Sequence, residues 1–150
     1  MDTIYIGSDH GGFELKGALI AFLKAKKYNV VDVGPFSFDK DDDYPDYVEK
    51  VCENVVSNRG RGILICKYGH GITIAANKIK GIYASTCWNE DSARMARNDG
   101  NTNVLCLSGV MTMPADAQKI AEIWLTTPFS AEERHSRRVN KIKDIEKRNV

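Results

Sequence analysis

A three-layer α/β fold, with a parallel sheet between two layers of helices, is what this sequence predicts. Two observations predict it. Short apolar runs recur along the chain, and most are followed by a polar turn and by apolar residues spaced three and four apart. Runs of about five apolar residues suit strands buried on both faces. Strands alternating with helices form βαβ units, whose crossovers are right-handed.

The first run, residues 3–8 (TIYIGS), is followed by SDHGG and then by Leu15, Leu19, Phe22 and Leu23, which share one helical face. The second, 30–33 (VVDV), opens into GPFSFDKDDDYP at 34–45, which reads as a long acidic surface loop with solvated acids. Pro45 marks a helix entrance, where proline is well tolerated, and Tyr44 stands just before it. The third run, 62–66 (GILIC), leads into KYGHG and a helix beginning near Gly71. The fourth is 81–85 (GIYAS) and the fifth 103–107 (NVLCL). Ala117, Ile120, Ala121 and Trp124 repeat the helical spacing, and Val139, Ile142 and Ile145 form a narrower stripe on a last helix. The tail 146–150 is expected to fray. That makes five strands and five or six helices, with no internal repeat, linker or low-complexity tract.

A chain of 150 residues fits one domain, 1–150, and 43% hydrophobic residues suffice for a core. With 27% charged residues and a net charge of +1, there is no electrostatic reason to expect nucleic acid as a partner. No apolar run approaches the roughly 20 residues that cross a bilayer, and MDTIYIGSDH has no signal-like character. Cys52, Cys66, Cys87 and Cys106 lack CxxC spacing, and three sit in or beside apolar runs. That suits reduced thiols in a cytoplasmic protein, not a disulfide framework or a zinc site.

In such folds ligands sit at the carboxyl ends of the strands. The polar residues to watch are therefore Ser8, Asp9 and His10 after the first run and residues 66–71 after the third; Asp99 to Asn103 lie just before the fifth. Gly69 and Gly71 allow a tight turn and close approach to a ligand. Free N–H groups at a helix start near Gly71 favour an anion, and the same field favours a thiolate at Cys66. A thiolate beside oriented N–H donors can remove a carbon-bound proton while the donors hold the resulting oxyanion. A buried core cysteine before an ordinary turn reads equally well from these residues alone. Asp9 could orient a sugar hydroxyl or cap the next helix, and His10 could bind phosphate or move a proton. Tyr44 could line a pocket or simply pack. Arg134 and Arg138, at i and i+4, share a helix face and could together clamp a phosphate, or belong to a solvated charge run.

The stretches GSDHGGFELK (7–16), DYPDY (43–47), GILIC (62–66), GHGITIAANKIKGIYA (69–84), NTNVL (101–105) and ERHSRRVNKI (133–142) span nearly the whole chain in order. Through them the chain resembles the type B ribose-5-phosphate isomerase family, which includes the galactose-6-phosphate isomerase subunits. The resemblance implies a Rossmann-like α/β/α sandwich with a five-stranded parallel sheet. It also implies a homodimer or homotetramer with sites at the subunit interface, and no metal or organic cofactor. It implies an aldose–ketose isomerase, with ribose 5-phosphate to ribulose 5-phosphate as the leading reaction. Cys66 would move a proton between C2 and C1 through an enediolate that the turn 67–71 holds. Asp9 and His10 would contact substrate, and Arg134 and Arg138 would bind phosphate from a neighbouring subunit.

Several positions depart from the family pattern. Lys67-Tyr68-Gly69 stands where Gly-Thr-Gly is usual, so the pocket carries an added cation or a side chain that leaves it. The family's histidine acid falls at Asp99, and an aspartate is ionised near neutral pH unless buried. Gly100 replaces a frequent Asn, and Val110 replaces a phosphate-binding arginine, for which Lys67 or His70 could compensate. The implied catalytic positions are Cys66 and Asp99. The implied substrate contacts are Asp9, His10, Tyr44, Lys67, Tyr68, Gly69, His70, Gly71, Gly100, Arg134 and Arg138. The alternative is a substrate-shifted or non-catalytic sugar-phosphate-binding subunit. A nucleotide module finds no support, because no GxGxxG follows the first run.

Overall fold

The computed structural model describes residues 1–149. Its strands are β1 (Ile4–Ser8), β2 (Val30–Gly34), β3 (Arg61–Cys66), β4 (Ala84–Thr86) and β5 (Val104–Ser108). Its helices are α1 (Phe13–Ala25), α2 (Tyr44–Asn58), α3 (His70–Ala76), α4 (Glu90–Asn98), α5 (Pro114–Thr126) and α6 (Glu133–Arg148). The strands form one parallel sheet in the order β2-β1-β3-β5-β4. The Rossmann-like three-layer architecture is as the sequence predicts.

Side-chain alternation along the strands divides the core in two. Ile63 and Ile65 of β3 face one layer with Leu19, Leu23, Ala93, Ile120 and Trp124, contributed by α1, α4 and α5. Leu64 and Cys66 face the other layer with Val48, Val51, Cys52, Ile72 and Ala76, contributed by α2 and α3. Trp124 is fully buried, and its indole N–H donates to Thr102 Oγ1 at 3.0 Å. Burying a large apolar side chain of this kind is worth roughly 1.5–3 kcal/mol.

The chain leaves β1 for β2 on one side and returns to β3 on the other. This makes β1/β3 the topological switch point, where the carboxyl ends of an open α/β sheet diverge into a crevice. Helix α6 lies at the opposite end. Its Glu146 accepts from Gly81 N–H at 2.8 Å and from the Tyr83 hydroxyl at 2.9 Å, both ahead of β4. Its Val139 borders a hollow with Asp2, Gly60 and Asn103, all of which precede strands.

Three expectations need correction. The fourth strand spans Ala84–Thr86, not 81–85, because Gly81 turns at φ +86° and the Asn103 side chain bonds Gly81 O and Tyr83 N–H. Of the last stripe only Val139 is buried, with Ile142 and Ile145 about half exposed. The tail stays helical through Arg148 instead of fraying from 146; Val150 lies outside the described residues.

Candidate active site

At the switch point the end of β1 is laid directly on the end of β3. Asp9 N–H donates to Ile65 O at 3.3 Å, and Asp9 Oδ1 accepts Gly11 N–H at 2.9 Å, capping a single 3-10 turn over His10–Gly12. Burial is the main influence on Asp9 and pushes its carboxyl above the ordinary 3.8, against the opposing pull of the Gly11 N–H.

Cys66 ends β3 and is 6% exposed, packed on the α2/α3 side. Its Sγ accepts the N–H of Gly69 at 3.2 Å. Gly69 holds φ +87°, a left-handed backbone that suits glycine. The shortest struts of this turn come from the β5 end and from α3. Gly109 N–H donates to Cys66 O at 2.8 Å, Ser108 Oγ donates to Lys67 O at 2.7 Å, and Thr73 Oγ1 donates to Gly69 O at 2.7 Å. The amide on the sulfur belongs to Gly69, the N-cap of the 7-residue α3. The other three cysteines lie deeper. Burial pushes Cys52 up to about 12 and Cys87 up to about 11, and raises Cys106 as well, so all three stay thiols.

Around this turn stand several of the sequence-predicted residues. Tyr44, the first residue of α2, is half-buried with its ring against Gly71. Lys67 and Tyr68 are exposed, the ammonium 5.8 Å from the phenol ring centroid, so the two departures sit together at the rim. His70 is exposed at the first position of α3. Val110 is exposed beside them, its N–H donating to Lys67 O at 3.2 Å.

Asp99, Gly100, Arg134 and Arg138 are not there. Helix α4 runs back against the strands, so its end, where Asp99 is the C-cap, lies at the amino end of the sheet with α6. The separation is about one strand length, roughly 20 Å for six residues. Asp99 Oδ1 lies 3.5 Å from Nε2 of the buried His135, whose Nδ1 is 2.6 Å from Ser130 Oγ. Arg134 and Arg138 are exposed on the same helix as His135, with Arg134 Nε donating to Glu132 at 3.0 Å. A hollow of about 770 Å³ at this end is lined by Lys78, Lys80, Tyr83, Ile142, Ile145 and Glu146 among others, and does not include Cys66. A single chain thus carries the sulfur and its turn at one end and the arginines at the other.

One residue of the site escapes the sequence reading. Asp42, expected as a solvated loop acid, has a side chain only 5% exposed and is hydrogen-bonded to His10. Nothing in the run of three acids marks which one turns inward. The donor atoms of Asp9, His10 and Asp42 lie within 4.8 Å of one another, a spacing that a cation could bridge. Asp9 Oδ1 is engaged in the cap and Asp42 Oδ1 in the 2.7 Å contact with His10 Nδ1, so these atoms form a hydrogen-bonded cluster.

Residues 4–142 match the sequence profile of a family described as Ribose/Galactose Isomerase. The ribose-5-phosphate isomerase B of Mycolicibacterium paratuberculosis is 37% identical over 145 residues, covering 96% of this chain and 91% of that one. The crystal structure of ribose-5-phosphate isomerase B from Mycoplasma genitalium with bound ribulose-5-phosphate superposes with a TM-score of 0.93 at 44% identity, covering 97% of this chain and 96% of the other. The structure of ribose-5-phosphate isomerase B from Clostridium thermocellum gives 0.94 at 44% identity, covering 99% of each chain.

Proposed function

This chain belongs to the ribose/galactose isomerase family, and on that premise we propose that it is a single-domain sugar-phosphate isomerase that interconverts ribose 5-phosphate and ribulose 5-phosphate. One observation carries the reading. The sulfur of Cys66 stands at the topological switch point with the Gly69 amide on it, in a fold shared with a protein that holds ribulose-5-phosphate.

In the reaction, Cys66 as thiolate removes the C2 proton of the opened aldose and returns it to C1. The electron pair passes through the C1–C2 enediolate, whose oxygen charge is met by N–H groups of the turn 67–71, while the proton on O2 moves to O1, so that C1 becomes the alcohol and C2 the ketone. Asp9 orients a sugar hydroxyl, and His10 and Tyr44 line the approach. Lys67, Tyr68 and His70 form the rim, where their charge and rings meet the sugar or its phosphate.

Arg134 and Arg138 serve a site in a second copy of the chain, since in their own chain they lie a strand length from Cys66. They clamp the phosphate, while Asp99 and Gly100 line the same partner site. An isologous two-fold pairing brings the amino end of each sheet to the carboxyl end of the other and completes two equal sites. Such a homodimer, alone or doubled to a tetramer, works in the cytoplasm.

The test is incubation of the chain in D2O with a panel of pentose and hexose phosphates, following deuterium at C2 by NMR and ketose by direct assay. Ribose 5-phosphate should exchange and convert fastest. Binding without exchange for every sugar would leave only a carrier.

A further inference from the structure

His10 is gripped by a carboxylate 32 residues away. One oxygen of Asp42 accepts both the backbone N–H of His10, at 2.9 Å, and its Nδ1, at 2.7 Å. Two bonds to a single acceptor atom leave the ring little freedom to turn. They also make Nδ1 the donor, which leaves Nε2 on the outer edge of a ring that is 36% exposed. Among the described residues Nε2 has no hydrogen-bond partner. The second oxygen of Asp42, Oδ2, is buried with no hydrogen-bond partner at bonding distance, and the Tyr47 hydroxyl near Asp42 is raised above its ordinary 10.0 by burial and then by that carboxylate. A carboxylate that is 95% buried with one oxygen unserved is costly unless a cation lies against it, and the imidazolium of His10 is the cation within reach.

We propose that Asp42 is a positioning residue for the reaction: it locks the His10 ring, balances its positive charge, and so presents Nε2–H as a fixed cationic donor to an anionic oxygen of the substrate. The proposal rests on the isomerase reading for the identity of that substrate. The groups facing His10 are Asp9 from the end of β1, Asp39 and Asp42 from the loop before α2, and the Phe38 ring at 6.4 Å, edge to face. The hydrogen bond that its Nδ1–H donates to Asp42 raises the imidazole above its ordinary 6.5, with burial opposing and the charges of Asp9 and Asp39 adding to the rise. The side of the site that lacks an arginine at position 110 thereby gains a histidine that stays charged to higher pH.

A reaction that needs the imidazolium weakens as pH rises through the His10 value, so losing Asp42 moves the alkaline limb of kcat/KM to lower pH. The experiment is an imidazole 15N–1H NMR titration of ligand-free wild type, Asp42→Asn and Asp42→Glu, with His10→Asn to assign the resonance. Alongside it runs the kcat/KM–pH profile with ribose 5-phosphate. Expected are a His10 midpoint that falls in Asp42→Asn and recovers in Asp42→Glu, and an alkaline limb that follows it. One displaced pH unit corresponds to about a tenfold loss on that limb.

If Asp42 merely ties down the loop, Asp42→Asn lowers stability and leaves both the midpoint and the limb in place, which overturns the proposal. An Asp42→Asn protein too unstable to titrate shifts the decision to wild type and Asp42→Glu, where a His10 midpoint at or below the ordinary value also overturns it. If no sugar phosphate turns over in any variant, the isomerase reading fails by itself, and the titration still decides whether Asp42 holds His10 charged.

Discussion

The ring of Tyr44 fills the space that a β-carbon would occupy at Gly71: a carbon built there would lie 2.6 Å from the phenol oxygen. The start of α2 and the first turn of α3 are keyed together by this absence. Gly71→Ala should therefore lower stability by about 1 kcal/mol, at the low end for overpacking because the half-buried ring can swing outward. In a Tyr44→Ala background the cost should shrink. Urea titrations of the four proteins measure the difference, and an equal cost in both backgrounds would refute the keying.

Under the proposed mechanism Cys66→Ala removes the proton carrier and little else. Turnover should fall by about 10²–10⁴-fold, the usual reach of a positioned base, with little change in KM. Steady-state assay and C2 deuterium exchange should fall together. A variant as active as its parent would take the sulfur out of the mechanism.

Sites shared between copies predict rescue by mixing. Cys66→Ala and Arg138→Ala should each be nearly inactive alone. After unfolding and refolding together they should recover about a quarter of wild-type activity, because random two-fold pairing puts half the chains in mixed dimers with one intact site each. No recovery, with mixed dimers demonstrated by mass spectrometry, would mean that the arginine acts within its own chain or not at all.

Asp9 is held above 3.8, chiefly by burial. A carboxyl with a raised folded value gives its favourable share of stability below the unfolded value and loses it as pH climbs through the folded one. Asp9→Asn keeps an oxygen for the Gly11 N–H and removes the charge. Its melting temperature should thus match wild type near pH 4 and exceed it at pH 7, while activity drops. Calorimetry at both pH values checks the first part. An equal offset at both would assign the effect to packing instead of charge.

How much of this could be read from residues alone depends on which physical signal each part leaves. β1, β3 and β5 are buried on both faces and announce themselves as apolar runs. β4 is three residues long, and the apolar Ile82 beside it is buried by packing, not by pairing, which is why a run of five there misleads. α4 leaves almost no apolar signal because its buried face is Ala93 and Arg97. The Asn89–Ser92 capping box was the cue available. The Cys66–Gly69 turn is legible because a left-handed backbone leaves a glycine in the sequence. The inward turn of Asp42 leaves no such mark. Distance is also invisible in sequence order: the resemblance assigns positions 66 and 99 to catalysis alike, yet α4 carries position 99 to the opposite end of the sheet.

That opposition has a kinetic consequence. Under the proposed paired arrangement a lone chain carries two unfinished halves and no working centre, so newly made molecules stay idle until they meet. Specific activity should then sink on dilution, and the onset of turnover in a growing cell becomes a threshold set by how much of the protein has accumulated.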